Sequence, residues 1–225
     1  MLQENALDLD EKTLLEKRQH ERIVKNMPVG LTLIEGNATD ILPLPSYKGE
    51  TNDIATGGVS CNAIINDSEI ARQLAQKKSR LNLNIRVAEK ESDINATADI
   101  AWIYNLKGLS IKTKYSLGLR FVDMTKPDKD FFASYVQGII IRKKEQRAEH
   151  IKNIKQVLSK IARTKEDSFT EETRIRDDLG VDSLMAMEAM AALETIYNIE
   201  IDAERVLEIA TVGDIIDLIE EYVRV

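Results

Sequence analysis

Two apolar rhythms meet near Thr125, and the chain must therefore build a β part followed by a helical part. From Pro28 to Val122, short runs rich in β-formers (29–34, 59–65, 81–87, 96–104 and 115–122) alternate with polar or glycine-containing breaks. That spacing predicts a small antiparallel sheet or barrel. Residues 69–78 fit a short helix or a loop between strands. After Thr125 the apolar residues fall three or four apart, first Phe131, Phe132, Tyr135, Val136 and Ile139, then Ile151, Ile154, Val157, Leu158 and Ile161. Thr125 suits an N-cap, Asp128 completes a capping box and Pro127 fits a first helical turn. No Gly or Pro stands between Gly138 and Ile161, so one helix runs nearly into the next. The expected organisation is a tail over 1–25, a β part with its own C-terminal helix over 26–142, a helical linker over 143–150, and a helical part over 151–225.

Charge divides the same way. Residues 149–225 hold 9 Lys/Arg against 18 Asp/Glu, net −9, whereas residues 1–148 are net +2. An acidic module is joined to a mildly basic one, which argues against general binding of DNA or RNA. One cysteine, Cys61, rules out an intrachain disulfide, and its apolar strand-like surroundings predict a buried thiol. His20, His150 and Cys61 form no metal-ligand spacing. The opening residues lack an apolar leader, and the longest apolar run, 131–141, is too short for a bilayer span. The expected location is cytoplasmic.

Within the helical part, Leu179-Gly180-Val181-Asp182-Ser183-Leu184 precedes an apolar repeat at Leu184, Met187, Met190, Leu193 and Tyr197. Asp182 and Ser183 thus stand at a helix start, where unpaired N–H groups and a partial positive charge favour a phosphate ester. The first helix is expected over roughly 148–163, a polar loop spans 167–178, Asp202 caps a short third helix and Thr211 a fourth that ends near Val223. Over roughly 149–225 this order resembles the acyl/peptidyl carrier protein family. The resemblance implies a four-helix bundle with 4′-phosphopantetheine on Ser183. It also implies a phosphopantetheinyl transferase, whose metal Asp182 helps to hold, and acyl-loading or synthase enzymes as partners. Carrier domains usually show partners an acidic stripe on the second helix. Here Glu188 and Glu194 keep that character, while Met185, Ala186, Ala189 and Ala192 take other expected outward positions. Met185, Glu188, Ala189 and Glu194 are therefore the expected docking residues, with a larger apolar share; alternatively, Met185 packs beneath the preceding loop. A hydrolytic role for Ser183 would need a base. Only His20 and His150 exist, and the strand–turn–helix setting of a nucleophile elbow is absent. No catalytic residue is assigned.

Arg18 and Arg22 lie four apart in the tail and share a face if it is helical. By themselves they read as a solvated charge run. The stretch Asn52-Asp53-Ile54-Ala55-Thr56-Gly57-Gly58 reads by itself as a hairpin turn, although its paired glycines permit positive φ and close approach of a ligand. Together, an Arg-x-x-x-Arg pair and a turn of the form Asp-x-Ser-x-x-Gly resemble the PilZ family of bacterial cyclic di-GMP receptors. Ala98-Asp99-Ile100-Ala101-Trp102 and Leu117-Gly118-Leu119-Arg120-Phe121 look like that family's later strands. The resemblance spans roughly 16–137 and implies a small β-barrel that binds the dinucleotide through Arg18, Arg22, Asp53, Ala55, Gly57 and Gly58. Arginine forks suit phosphate or the guanine O6/N7 edge, and Asp53 can accept from guanine N–H groups. Ala55 stands where the family pattern has serine. The expected fold is α+β in two domains, a PilZ-like barrel and then a carrier bundle. The expected function is a non-catalytic acyl carrier for fatty-acid, polyketide or related synthesis, regulated or localised by cyclic di-GMP. The alternative is a PilZ-fold scaffold that docks proteins and positions the carrier without binding nucleotide.

Overall fold

The structure is a computed structural model describing residues 21–34, 46–66, 68–76, 79–106 and 114–223. Arg18 and His20 lie outside the described residues. The chain divides into two compact units between Ile140 and Ile141.

The first unit contains β1 (Ile23–Val24), β2 (Pro28–Ile34), β3 (Ser46–Ala55), β4 (Gly58–Ile64), α1 (Ser68–Ala75), β5 (Arg80–Ile85), β6 (Ile94–Leu106) and β7 (Lys114–Met124). The strand order is β1-β3-β2-β5-β6-β7-β4, and β3 also pairs with β4. That last pairing closes β3, β2, β5, β6, β7 and β4 into a six-stranded antiparallel barrel, which leaves no long edge unpaired. Alternation sets the inside: Val29, Leu31 and Leu33 of β2, Leu81, Leu83 and Ile85 of β5, and Leu117 and Leu119 of β7 are all buried. Cys61 points into the same core. Thr51 is a polar residue among these inward positions, and it is satisfied. Its Oγ1 accepts from Met27 N at 2.9 Å and donates to Lys25 O at 2.5 Å, pinning the entry to β2. β3 was not foreseen as a strand, because Ser46–Ala55 is polar and interrupted by Gly49. Pairing on both of its sides overrides that weak propensity.

α2 runs from Lys126 to Ala162. Its opening turns place Phe132, Val136 and Ile140 on the barrel core, with Phe132 edge-on to Phe121 at 5.5 Å. The Thr125 half of the expected cap is formed, since Asp128 N donates to Thr125 Oγ1 at 3.3 Å. The Asp128 carboxylate also accepts from Asn95 N at 3.2 Å and pairs with Lys90 at 3.2 Å.

In the second unit, α2 continues to Ala162, followed by a 3-10 turn (Glu166–Ser168), α3 (Ser183–Tyr197), a single-turn α4 (Ala203–Val206) and α5 (Val212–Val223). The expected separate first helix is thus the end of α2, and the third is only one turn long. Ile154, Leu158, Phe169, Leu193, Val212, Ile215, Ile216 and Ile219 make an aliphatic core. Part of the expected linker belongs to this packing. Arg147 reaches Glu171 at 2.7 Å, Glu220 at 2.8 Å and Asp217 at 3.0 Å. Burial works against its charge, but hydrogen bonds to Glu220, Glu171 and Asp217 outweigh that and hold its pKa above the ordinary arginine value. His150 is buried and shares a 3.0 Å hydrogen bond between Nδ1 and the Tyr197 hydroxyl.

Candidate functional sites on the barrel wall and at a helix start

Two of the three register shifts among the described strands shape the outer wall of the barrel. In β3 the pairing with β4 shifts between Thr51 and Asp53, and in β6 the pairing with β7 shifts between Ile100 and Trp102. Each extra residue reverses the inside–outside alternation. Asp53 would otherwise share the inward face with Thr51, and Trp102 with Ile100. The bulges turn both outward into one row across four strands, where Asp53 faces Ser60, Ser60 faces Gly118, and Gly118 faces Trp102. Arg22 Nη1 donates to Asp53 Oδ1 at 2.8 Å, and Ser60 Oγ donates to Asp53 Oδ2 at 2.5 Å. Of the expected nucleotide residues, Arg22 and Asp53 are therefore brought together. Ala55 is almost buried, paired across β3–β4 with Gly58.

The turn differs from the sequence-based picture. Asp53 and Ala55 are strand residues, and only Thr56 and Gly57 form the connection. Gly58 is required by close packing of the barrel itself: an added Cβ would collide with Leu119 O and lie 3.2 Å from Arg120 Cα. Gly118 has a related role, since a Cβ there would run into the Trp102 indole, which lies across it. Trp102 and Tyr104 lie 5.2 Å apart at 33°. Sequence reasoning had placed Trp102 in a strand but gave it no role. Its signal was the change of parity in Ala96, Ala98, Ile100 and then Ile103, which marks a bulge.

In the second unit, Asp182 is the N-cap of α3 and its carboxylate accepts from Met185 N at 2.9 Å. Ser183 is the first helical residue and is exposed, with its hydroxyl at the positive end of a 15-residue helix. His150, the one described histidine, bonds Tyr197 at the other end of α3, about 20 Å along the axis at 1.5 Å per residue. It offers no base to Ser183.

The outward face of α3 is rotated from the expected one. Leu184 and Met187, read as core residues, are 76% and 65% exposed, while Ala189, expected at the docking surface, is 1% exposed. Met185 is half-buried against the core, and Glu194 spends a carboxylate oxygen on Ile201 N at 2.7 Å. Glu188 is exposed. The reason is physical. α3 is apolar nearly all round, so two stripes compete and packing chooses between them. The winning stripe carries Ala186 and Ala189, which line a cavity of about 40 Å³ with Leu158, Ile175, Val181 and Met190. The polar positions Glu188 and Thr195 were the available signal for the outer face. Leu184, Met187 and Ile196 are the exposed apolar residues there.

Among the described residues no helix is long and apolar enough to cross a membrane, and no group of three or more His, Cys, Asp or Glu is placed to hold a metal. The family model for the PilZ domain matches residues 16–138, and that for the phosphopantetheine attachment site matches residues 152–219. The chain belongs to the PilZ family and carries, after its barrel, a domain of the acyl carrier protein family. The acyl carrier protein of Wolinella succinogenes is 41% identical over 68 residues, 30% of this chain and 90% of that protein. Among solved structures, the cyclic di-GMP-bound PilZ domain of YcgR from Escherichia coli is similar at 16% identity and TM-score 0.39. It covers 58% of this chain and 96% of that one. The Bacillus subtilis inhibitor of motility MotI/DgrA gives 20% identity and TM-score 0.40, over 56% of this chain and about half (52%) of that one.

Proposed function

We propose that the chain is an acyl carrier whose Ser183 bears 4′-phosphopantetheine and whose barrel binds cyclic di-GMP, so that the second messenger regulates or localises delivery of a tethered acyl group. In this reading the chain catalyses nothing itself and works in the cytoplasm of a bacterium, served by a phosphopantetheinyl transferase and by acyl-loading or synthase enzymes. The observation that supports it is that, on one chain, Ser183 stands exposed at a capped helix start and Asp53 is turned outward against Arg22.

The chemistry at each site follows from these placements. At Ser183 a phosphodiester would sit where the helix N-terminus favours negative charge, and the arm would hold its thioester near successive partners at high effective concentration. Leu184, Met187 and Glu188 flank the attachment point and are the docking face of this reading. At the barrel, the Arg22 fork suits a phosphate or a guanine O6/N7 edge, and Asp53 can accept from guanine N–H groups. Arg18 would supply the second fork of the motif. The Trp102 face gives a purine a surface to stack on, in the same row as Asp53 and three strands along it.

The test is intact-mass analysis after incubation with a broad-specificity transferase and coenzyme A, combined with calorimetric titration of cyclic di-GMP. One phosphopantetheine should be added, and Ser183→Ala should abolish the shift. Arg22→Ala should weaken nucleotide binding by at least tenfold. No mass shift with a proven transferase overturns the carrier half, and no nucleotide binding leaves the scaffold reading in its place.

A further inference from the structure

We infer that Arg120 supplies the nucleotide contact that position 55, lacking a hydroxyl, cannot make. This rests on the nucleotide-binding reading above. Beside the row of Asp53, Ser60, Gly118 and Trp102 runs a second one. There Ala55 faces Gly58, Gly58 faces Arg120, Arg120 faces Asp99, and Asp99 faces Arg80. Arg120 therefore lies two strands from Ala55, with only a glycine between them. Neighbouring strands are about 4.8 Å apart. Because Gly58 has no side chain, nothing on β4 in that row stands between the Arg120 side chain and the Ala55 methyl.

Arg120 is also free to move. Its side chain is 73% exposed, and its Nη2 reaches Asp99 Oδ2 at a long 3.3 Å. The same carboxylate is shared with Arg80, whose Nε lies 3.1 Å from Oδ1. An exposed pair of this kind holds its partners weakly. Swinging away from Asp99 carries the guanidinium over Gly58, toward the turn at Thr56 and Gly57 and the Asp53–Arg22 pair. An incoming dinucleotide brings two phosphates, and one nitrogen of the Arg22 fork is already engaged by Asp53. A guanidinium there forms a charge-assisted, bidentate contact, stronger than the hydroxyl contact it replaces. Asp99 is then the competitor that holds Arg120 in the ligand-free chain, and Arg80, a strand further away, takes no part.

The test is calorimetric titration of the full chain with cyclic di-GMP. Arg120→Ala should weaken binding at least tenfold and Arg120→Lys less, since lysine keeps the charge but not the fork. Arg80→Ala should stay within twofold of the unsubstituted chain. Asp99→Asn should tighten binding about threefold. The decisive comparison is Ala55→Ser. Placed in the Arg120→Ala chain it should recover part of the loss, about threefold or more, whereas in the unsubstituted chain it should change affinity less than threefold. If the unsubstituted chain binds and Arg120→Ala binds within twofold of it, the inference is wrong while the nucleotide reading stands. A loss that Ala55→Ser does not recover also overturns the exchange of roles. Failure of the unsubstituted chain to bind removes the nucleotide reading itself, and this inference with it. Thermal melts of each variant, expected within a few degrees of the parent, separate lost contacts from lost fold; a variant that melts far below it counts against the inference, because Arg120 would then be structural.

Discussion

In the barrel, Arg22, Asp53, Ser60 and Trp102 come from the lead-in to β1 and from β3, β4 and β6, and only closure of the sheet sets them side by side. In the carrier unit, Asp182 and Ser183 are chain neighbours, and a single turn of helix suffices to present the hydroxyl. A wall assembled from four elements depends on register, bulges and glycine-sized gaps, any of which fails at a distance. A helix start depends on its own cap and on whatever holds the helix in place. The two sites should therefore differ in how far away damage can begin.

The largest effects sharpen that contrast through the cores. Phe132→Ala should destabilise the barrel by about 3–5 kcal/mol, and Leu193→Ala the carrier unit by about 2–5 kcal/mol, because both side chains are fully buried. Cys61 reports which unit has opened. Burial first, and then the charge of Asp53, pushes its thiol up to about 12, so the folded barrel should resist alkylation at pH 8. Under mild denaturant Phe132→Ala should speed labelling many-fold and Leu193→Ala should leave it unchanged. Equal acceleration by both would show the units unfolding together and break the comparison.

A smaller effect is expected at Arg147. Replacing it with Met leaves Glu171, Asp217 and Glu220 without their shared cation. Since about a third of the side chain is exposed, screening limits the loss to about 1–2 kcal/mol, and added salt should reduce it further. Urea unfolding followed by the signal of the carrier unit at low and high salt measures this. A loss that ignores salt would assign Arg147 a packing role alone.

The smallest effect is at the start of α5. Hydrogen bonds from Ala210 N and Thr211 N hold the Asp214 carboxyl below its ordinary value of 3.8, against the opposing effect of burial. A carboxyl depressed in the folded state contributes stability that is complete above the ordinary value and is lost as pH falls through the folded one. Asp214→Asn should therefore cost about 0.5–1 kcal/mol at pH 7, the scale of a cap, and converge with the parent as pH falls below the ordinary value and through the lowered one. A constant difference across that range would mean that the charge of Asp214 is not what caps the helix.

Much of the architecture is legible in residue order. Alternation in β2, β5 and β7, the cap at Thr125 and Asp128, and the helix start at Asp182 are local properties that packing preserves. Three features were not legible for definite reasons. Polar β3 becomes a strand because two neighbours pair with it. Trp102 faces outward because a bulge reverses parity. The face of α3 was misread because its outward face is itself largely apolar, with Leu184, Met187 and Ile196 beside the weak polar marks of Glu188 and Thr195.

Composition and spacing alone thus determined that a β part precedes a helical one, that helices start after Thr125, Asp182 and Thr211, and that a serine stands at the head of α3, since each follows from backbone preferences within one turn or one strand. Tertiary structure alone decided that Asp53, Ser60, Gly118 and Trp102 share a row, that Arg120 lies across a glycine from Ala55, and that Leu184 and Met187 face outward while Ala189 is buried. These depend on which strands pair, where a residue bulges and which stripe of a helix fits its neighbours, choices made by contacts between residues far apart in the chain.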